Sequence, residues 1–301
     1  MPEAVVRVGD VDLCYETFGE RDHPALLLVM GLATQMLGWH EDFCAELAAR
    51  GFFVVRFDNR DVGRSTALNH LPTPTTGQLL RRDRRAAAYT IDDMAGDAVG
   101  LLDHLGIERA HVVGASMGGM IAQTIAARHG DRVLSLASIM SNTGSRRSGQ
   151  PKLAAYRVLL GRPPADRAGY VEHTVKNYKI IGSPGFEQDD ATLRRTAERS
   201  FDRGRNPAGT LRQLAAVIAS GDRTELLRGI TAPTVVIHGD ADPLVQPSGG
   251  RATAEAIPGA RLVMIPGMGH DLPRGAWPQI IDAIAENAAR AGHPPGSAQA
   301  A

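Results

Sequence analysis

The chain has 301 residues, of which 43% are hydrophobic and 5% aromatic, a length and apolar content that suit one large α/β domain or a core with an insertion. Thirty-three basic side chains balance thirty-three acidic ones, so no general electrostatic case exists for nucleic acid or an anionic membrane as partner. A small-molecule ligand is the partner to expect, with the oligomeric state left open.

The opening segments Val5–Val8 and Val11–Phe18 flank Gly9-Asp10 and predict a hairpin. Ala25–Met30 is an unbroken apolar run, the mark of a strand buried on both faces. Trp39–Arg50 has helical spacing and stops at Gly51, and Phe53–Phe57 reads as the next strand. Ile91–Leu105 predicts a helix ending at Gly106, followed by strand His111–Val113, helix Met117–His129 and strand Arg132–Ile139. From about Gly144 to Gly229 the pattern changes to polar loops and helices with no buried strand. Strands Thr234–His238 and Arg261–Ile265 then resume the alternation, and Gly275–Ala289 closes it as a helix. The alternation predicts a mostly parallel central sheet with helices on both faces. Residues 1–143 and 230–291 would form that core, residues 144–229 a helical cap, and residues 292–301 a disordered tail.

Cys14 and Cys44 fall in different elements without disulfide spacing. The amino-terminal residues lack the charged-then-apolar pattern of a signal peptide, and no apolar run is long enough for a transmembrane segment. A cytoplasmic location is the expectation. The run Arg81-Arg-Asp-Arg-Arg85 reads as a solvated surface excursion.

The one G-x-S-x-G in the chain is Gly114-Ala-Ser116-Met-Gly118. Chance supplies about 0.14 such matches at this composition, so context has to decide. The motif follows a short apolar strand and opens an amphipathic helix, the strand–turn–helix setting of a serine nucleophile. Glycines two positions either side relieve crowding at a strained turn. The helix beginning at Met117 supplies free N–H groups and a positive dipole end for a developing oxyanion.

A serine hydroxyl attacks at neutral pH only if a base takes its proton, and this setting predicts the chain order serine, acid, histidine. After Ser116, His129 lies in a predicted helix, His173 in the insertion, His238 in a strand and His293 in the tail. His270, in the loop Gly267-Met-Gly-His-Asp271 after the last strand, is the candidate base. The acid should follow strand Thr234–His238, where Asp240 and Asp242 both stand. Asp242 is preferred because Pro243 fixes its backbone, leaving Asp240 as a turn-former. Leu32 N–H, beyond the exit of the early central strand, and Met117 N–H are the candidate oxyanion hole. Met36, Trp39 and Met120 lie in segments bordering the expected site and are candidate substrate contacts. No metal-ligand pattern, phosphate-binding loop or dinucleotide fingerprint is present, so neither metal nor cofactor is expected.

These loops, with Val29-Met-Gly-Leu32 and Asp58-Asn-Arg-Asp-Val-Gly-Arg-Ser65, resemble the α/β-hydrolase superfamily. The nearest branch is the one containing aclacinomycin methylesterase and LipG-type bacterial carboxylesterases. The resemblance runs from about Val5 to Trp277 and is least specific in the insertion. It implies an α/β-hydrolase fold with Ser116 as nucleophile, Asp242 as acid, His270 as base, and Leu32 with Met117 as oxyanion hole. Met30-Gly31 departs from the His-Gly common in the wider superfamily but leaves backbone donation intact. Arg60 and Asp61 are expected to brace neighbouring loops. The expected activity is that of a serine esterase acting through an acyl-enzyme on short to medium acyl chains. A cofactor-free haloperoxidase or perhydrolase, a thioesterase or a C–C bond hydrolase would use the same three residues. A non-catalytic ligand receptor would need none of them.

Overall fold

The structure, a computed structural model, describes residues 2–292. The predicted tail, apart from Gly292, lies outside the described residues. An eight-stranded sheet runs in the order β1-β2-β4-β3-β5-β6-β7-β8. Its strands are β1 (Ala4–Val8), β2 (Val11–Phe18), β3 (Ala25–Val29), β4 (Phe53–Phe57), β5 (Ala110–Ala115), β6 (Val133–Ile139), β7 (Thr234–Gly239) and β8 (Arg261–Ile265). The opening hairpin pairs antiparallel, β2 joins β4 antiparallel, and every later pairing is parallel.

The core helices are α1 (Glu41–Ala49), α2 (Thr76–Leu80), α3 (Ile91–His104), α4 (Met117–Arg128), α10 (Pro247–Ala256) and α11 (Trp277–Ala289). Between β6 and β7 run α5 (Leu153–Leu160), α6 (Arg167–Ile181), α7 (Asp190–Arg203), α8 (Pro207–Ser220) and α9 (Thr224–Leu227), with no strand among the described residues of that stretch. No described helix is long and apolar enough to cross a membrane.

Two apolar layers sandwich the sheet, and strand periodicity sorts side chains between them. On β3, Leu27 and Val29 pack with α3 and α4 on one face. Leu26 and Leu28 pack with α1 and α11 on the other. All five β3 residues are buried, which is why the sequence there is continuously apolar. Helix α3 begins at a Thr90–Asp93 capping box, and the chain turns out of it through Gly106 at φ +66°.

Some boundaries differ from expectation for visible reasons. Helix α1 starts at Glu41 rather than Trp39, because Met36–Gly38 forms a 3-10 turn and His40 caps the helix. The Met36 N–H is held by Asp58 Oδ1 at 2.7 Å. The closing helix is preceded by a 3-10 turn at Arg274–Ala276, with Pro278 in its first turn. Helix α10, built from small and polar residues between β7 and β8, has no counterpart among the elements the sequence predicts.

Parallel pairing brings the carboxyl ends of β3, β5, β6, β7 and β8 to one edge of the sheet. The loops after β3, β5, β7 and β8 carry Leu32, Ser116, Asp242 and His270. Residues predicted from separate stretches therefore converge there.

Candidate active site

Ser116 closes β5 and precedes α4 with φ +58° and ψ −120°. A non-glycine residue in that region costs on the order of 1–3 kcal/mol and persists only where its surroundings enforce it. Here they do. A Cβ on Gly114 would lie 2.0 Å from the Gly118 carbonyl oxygen, and one on Gly118 would lie 2.1 Å from that of Val29. The obstacles are thus backbone carbonyls of the turn and of β3, which cannot swing aside. Gly118→Ala is expected to lose at least about 3 kcal/mol or to fail to fold. A urea midpoint unchanged from wild type would refute that account of the turn.

His270 Nε2 lies 2.9 Å from Ser116 Oγ, and its Nδ1 lies 2.7 Å from Asp242 Oδ2. Asp242 is fully buried, and its Oδ1 accepts the Leu244 and Val245 N–H groups at 2.8 and 2.9 Å. A carboxylate gripped on one oxygen presents the other in a fixed direction. Asp240 is exposed, and its Oδ1 instead accepts the Gly267 N–H at 2.7 Å. It thereby ties the loop after β7 to the loop that carries His270.

The segment after β3 is braced at every turn. Asn59 Nδ2 donates to Met30 O at 2.8 Å, and the Ala33 N–H donates to Gln213 Oε1 of α8 at 2.8 Å. Between those anchors a Cβ on Gly31 would meet Ser116 Cβ at 3.0 Å, so the residue before Leu32 lies against the serine. Among the described residues neither the Leu32 nor the Met117 N–H has an internal acceptor.

Ser116 and His270 open onto a cavity of about 1140 Å³ between the strand edge and the helices that follow β6. Met120 lines it, as do Met30, Leu32 and Met117. Met36 and Trp39 do not. Both are fully buried, and Trp39 stacks on Phe43 in the α1–α11 layer. Their apolar bulk serves packing because the 3-10 turn aims them inward. Arg60 forms a two-point pair with Asp97 of α3, and Asp61 one with Arg212 of α8, so both brace helices. Of the arginine-rich run, Arg82 reaches the cavity wall and Arg84 packs beside Gly221, while all four arginines stay exposed. No cluster of three metal-ligating side chains occurs among the described residues.

Sequence reasoning missed His238, the strand residue beneath Asp242. Its Nε2 donates to Val245 O at 2.7 Å and lies 3.6 Å from Asp242 Oδ2, while Nδ1 is buried without a partner among the described residues. Burial holds its pKa below the ordinary histidine value. The unfolded chain therefore binds this proton first as pH falls. The stabilisation is complete above the ordinary histidine value and declines as pH drops below it. His238→Gln keeps a donor at the Nε2 position and cannot take up a proton. It should reduce the loss of stability between about pH 7.5 and 5.5 in urea titrations. An undiminished loss would mean that other groups dominate there.

A family model described as alpha/beta hydrolase fold matches residues 24–273. Rhodomycin D methylesterase DauP of Streptomyces sp. (strain C5) is 29% identical over 304 aligned residues, covering 94% of this chain and 97% of that protein. 3-Oxoadipate enol-lactonase 2 of Acinetobacter baylyi is 28% identical, covering 82% of each. The solved structure of the enol-lactonase from Burkholderia xenovorans LB400 superposes with a TM-score of 0.70 at 25% identity, covering 94% of this chain and 99% of that one. With the sheet order, the serine turn and a match across most of its length, the chain belongs to the α/β-hydrolase family.

Proposed function

We propose that Ser116, His270 and Asp242 form a catalytic triad that hydrolyses carboxylic esters through an acyl-enzyme. The observation that carries this reading is the unbroken chain of contacts from Ser116 Oγ through His270 to Asp242, at 2.9 and 2.7 Å. The protein is a carboxylic ester hydrolase, in keeping with relatives named as a methylesterase and an enol-lactonase. His270 Nε2 takes the hydroxyl proton as Ser116 Oγ attacks the ester carbonyl, and the resulting oxyanion is held by the Leu32 and Met117 N–H groups. His270 returns the proton to the leaving alcohol. Water, activated by the same imidazole, then cleaves the acyl-enzyme. Asp242 keeps the proton on Nδ1 and stabilises the transient imidazolium.

Residues 144–229 act as the cap of the 1–143 and 230–291 core, and the cavity beneath them takes the substrate. Its volume of about 1140 Å³ exceeds what a short acyl chain needs. We therefore extend the expected range from short and medium acyl chains to bulky acids esterified with small alcohols. Cytoplasmic residence is part of the same proposal and fits two unpaired, buried thiols, Cys14 and Cys44. The test pairs p-nitrophenyl and methyl esters of rising acid size with a fluorophosphonate probe. Turnover and stoichiometric labelling of Ser116 are expected, with both lost in His270→Gln, which cannot accept the hydroxyl proton. Peroxide-dependent or thioester activity without ester hydrolysis would replace this reading.

A further inference from the structure

The loop that delivers His270 is gripped by the insertion. Its backbone runs beside residues 181–185, the stretch that leaves α6. The His270 N–H donates to Ile181 O at 2.6 Å, and the Gly185 N–H donates to Gly267 O at 2.9 Å. Between these two bonds sits Ser183, fully buried. Its Oγ accepts the Gly269 N–H at 2.8 Å and donates its own proton to Asp271 Oδ1. One hydroxyl thus bonds the residues immediately before and after His270.

The fit is too close to be incidental. A Cβ on Gly269 would lie 2.2 Å from Gly182 O, and one on Gly185 would lie 2.7 Å from the Gly267 Cα. Two backbones meet with no side chain between them, and their register is fixed by the Ser183 hydrogen bonds. Ile181 takes part on both sides, lining the cavity while its carbonyl holds His270.

Building on the triad proposed above, we infer that Ser183 is a positioning residue for His270, so that the insertion sets the aim of the base as well as the shape of the cavity. Ser183 does not line the cavity, and its hydroxyl bonds Gly269 and Asp271 rather than Ser116 or the His270 ring. It acts by fixing the loop 267–271, and with it the separation of Nε2 from Ser116 Oγ. A misplacement of about 1 Å at such a contact can cost on the order of 100-fold in rate.

The test compares Ser183→Ala with wild type in two assays, hydrolysis of p-nitrophenyl acetate and inactivation by a small methylphosphonate that needs little of the cavity. Both kcat and the inactivation rate constant should fall by about 10- to 100-fold, with KM unchanged within about twofold. A wild-type inactivation rate, or an effect confined to KM, would reduce Ser183 to a packing residue of the insertion and overturn the inference. If Ser183→Ala does not fold, the half-buried Asp271 replaces it as the probe. Asp271→Ala should lower the inactivation rate, and Asp271→Asn, which keeps an oxygen for the Ser183 proton, should recover most of the loss. Equal rates in those two variants would also overturn it. His270→Gln separates this inference from the reading beneath it. Wild-type activity in His270→Gln removes the triad itself. An inactive His270→Gln beside a fully active Ser183→Ala removes only the role of Ser183.

Discussion

Ser116→Ala is expected to fold as the wild type does and to lose on the order of 10⁴-fold or more in ester turnover. Alanine keeps the Cβ, so the backbone at φ +58° experiences the same crowding and the same hydrogen bonds from Ser116 N to Ile139 O and from Gly119 N to Ser116 O. The side-chain oxygen makes no capping bond to α4, and removing it leaves the helix start untouched. What disappears is the one atom that His270 Nε2 faces at 2.9 Å. The remaining rate should come from the proposed oxyanion hole, the Leu32 and Met117 N–H groups, acting on bound ester and water, a contribution that persists without a nucleophile. A fluorophosphonate should label wild type and leave the variant unlabelled. Labelling that survives the substitution would place the nucleophile on another residue.

What could be read from the sequence was local. An all-buried β3 announces itself as Ala-Leu-Leu-Leu-Val, and the serine turn by glycines whose absent side chains make room for carbonyls. Ser116, Asp242 and His270 meet because the strand ends of a parallel sheet share one edge. Contacts between distant segments carry no such signature. Ser183 and Asp271 are 88 positions apart, and nothing in Gly182-Ser-Pro-Gly185 marks it as the seat of the His270 loop. His238 looked like any strand histidine until β7 placed it below Asp242. Met36 and Trp39 read as substrate contacts in the sequence, because apolar residues near a site look alike whether they face the cavity or the core; both lie buried away from the cavity. The 3-10 turn at Met36–Gly38, fastened by Asp58, decides the direction. Nor does the helical pattern of the insertion reveal that residues 181–185 touch the cavity and also bond the loop 267–271.

Two carboxylates follow β7, and their environments predict opposite responses to the same substitution. In Asp242→Asn the amide oxygen can keep accepting from the Leu244 and Val245 N–H groups, which turns the NH₂ toward His270 Nδ1. Two N–H donors cannot face each other, so the imidazole must carry its proton on Nε2. That proton then points at Ser116 Oγ, and the lone pair needed for general-base catalysis is lost. The geometry survives and the tautomer is wrong, for which a fall in kcat of about 10³-fold or more is expected, with little change in KM. Asp240→Asn meets no such conflict. Its oxygen still accepts the Gly267 N–H at the exposed end of the loop, and the loss should stay below about tenfold. Steady-state kinetics of the two variants on one ester decides the matter, with fluorophosphonate labelling reporting on Ser116 itself. If Asp240→Asn proved the more damaging, the acid of the triad would be Asp240 and the loop after β7 would have to reshape in solution to bring it to His270.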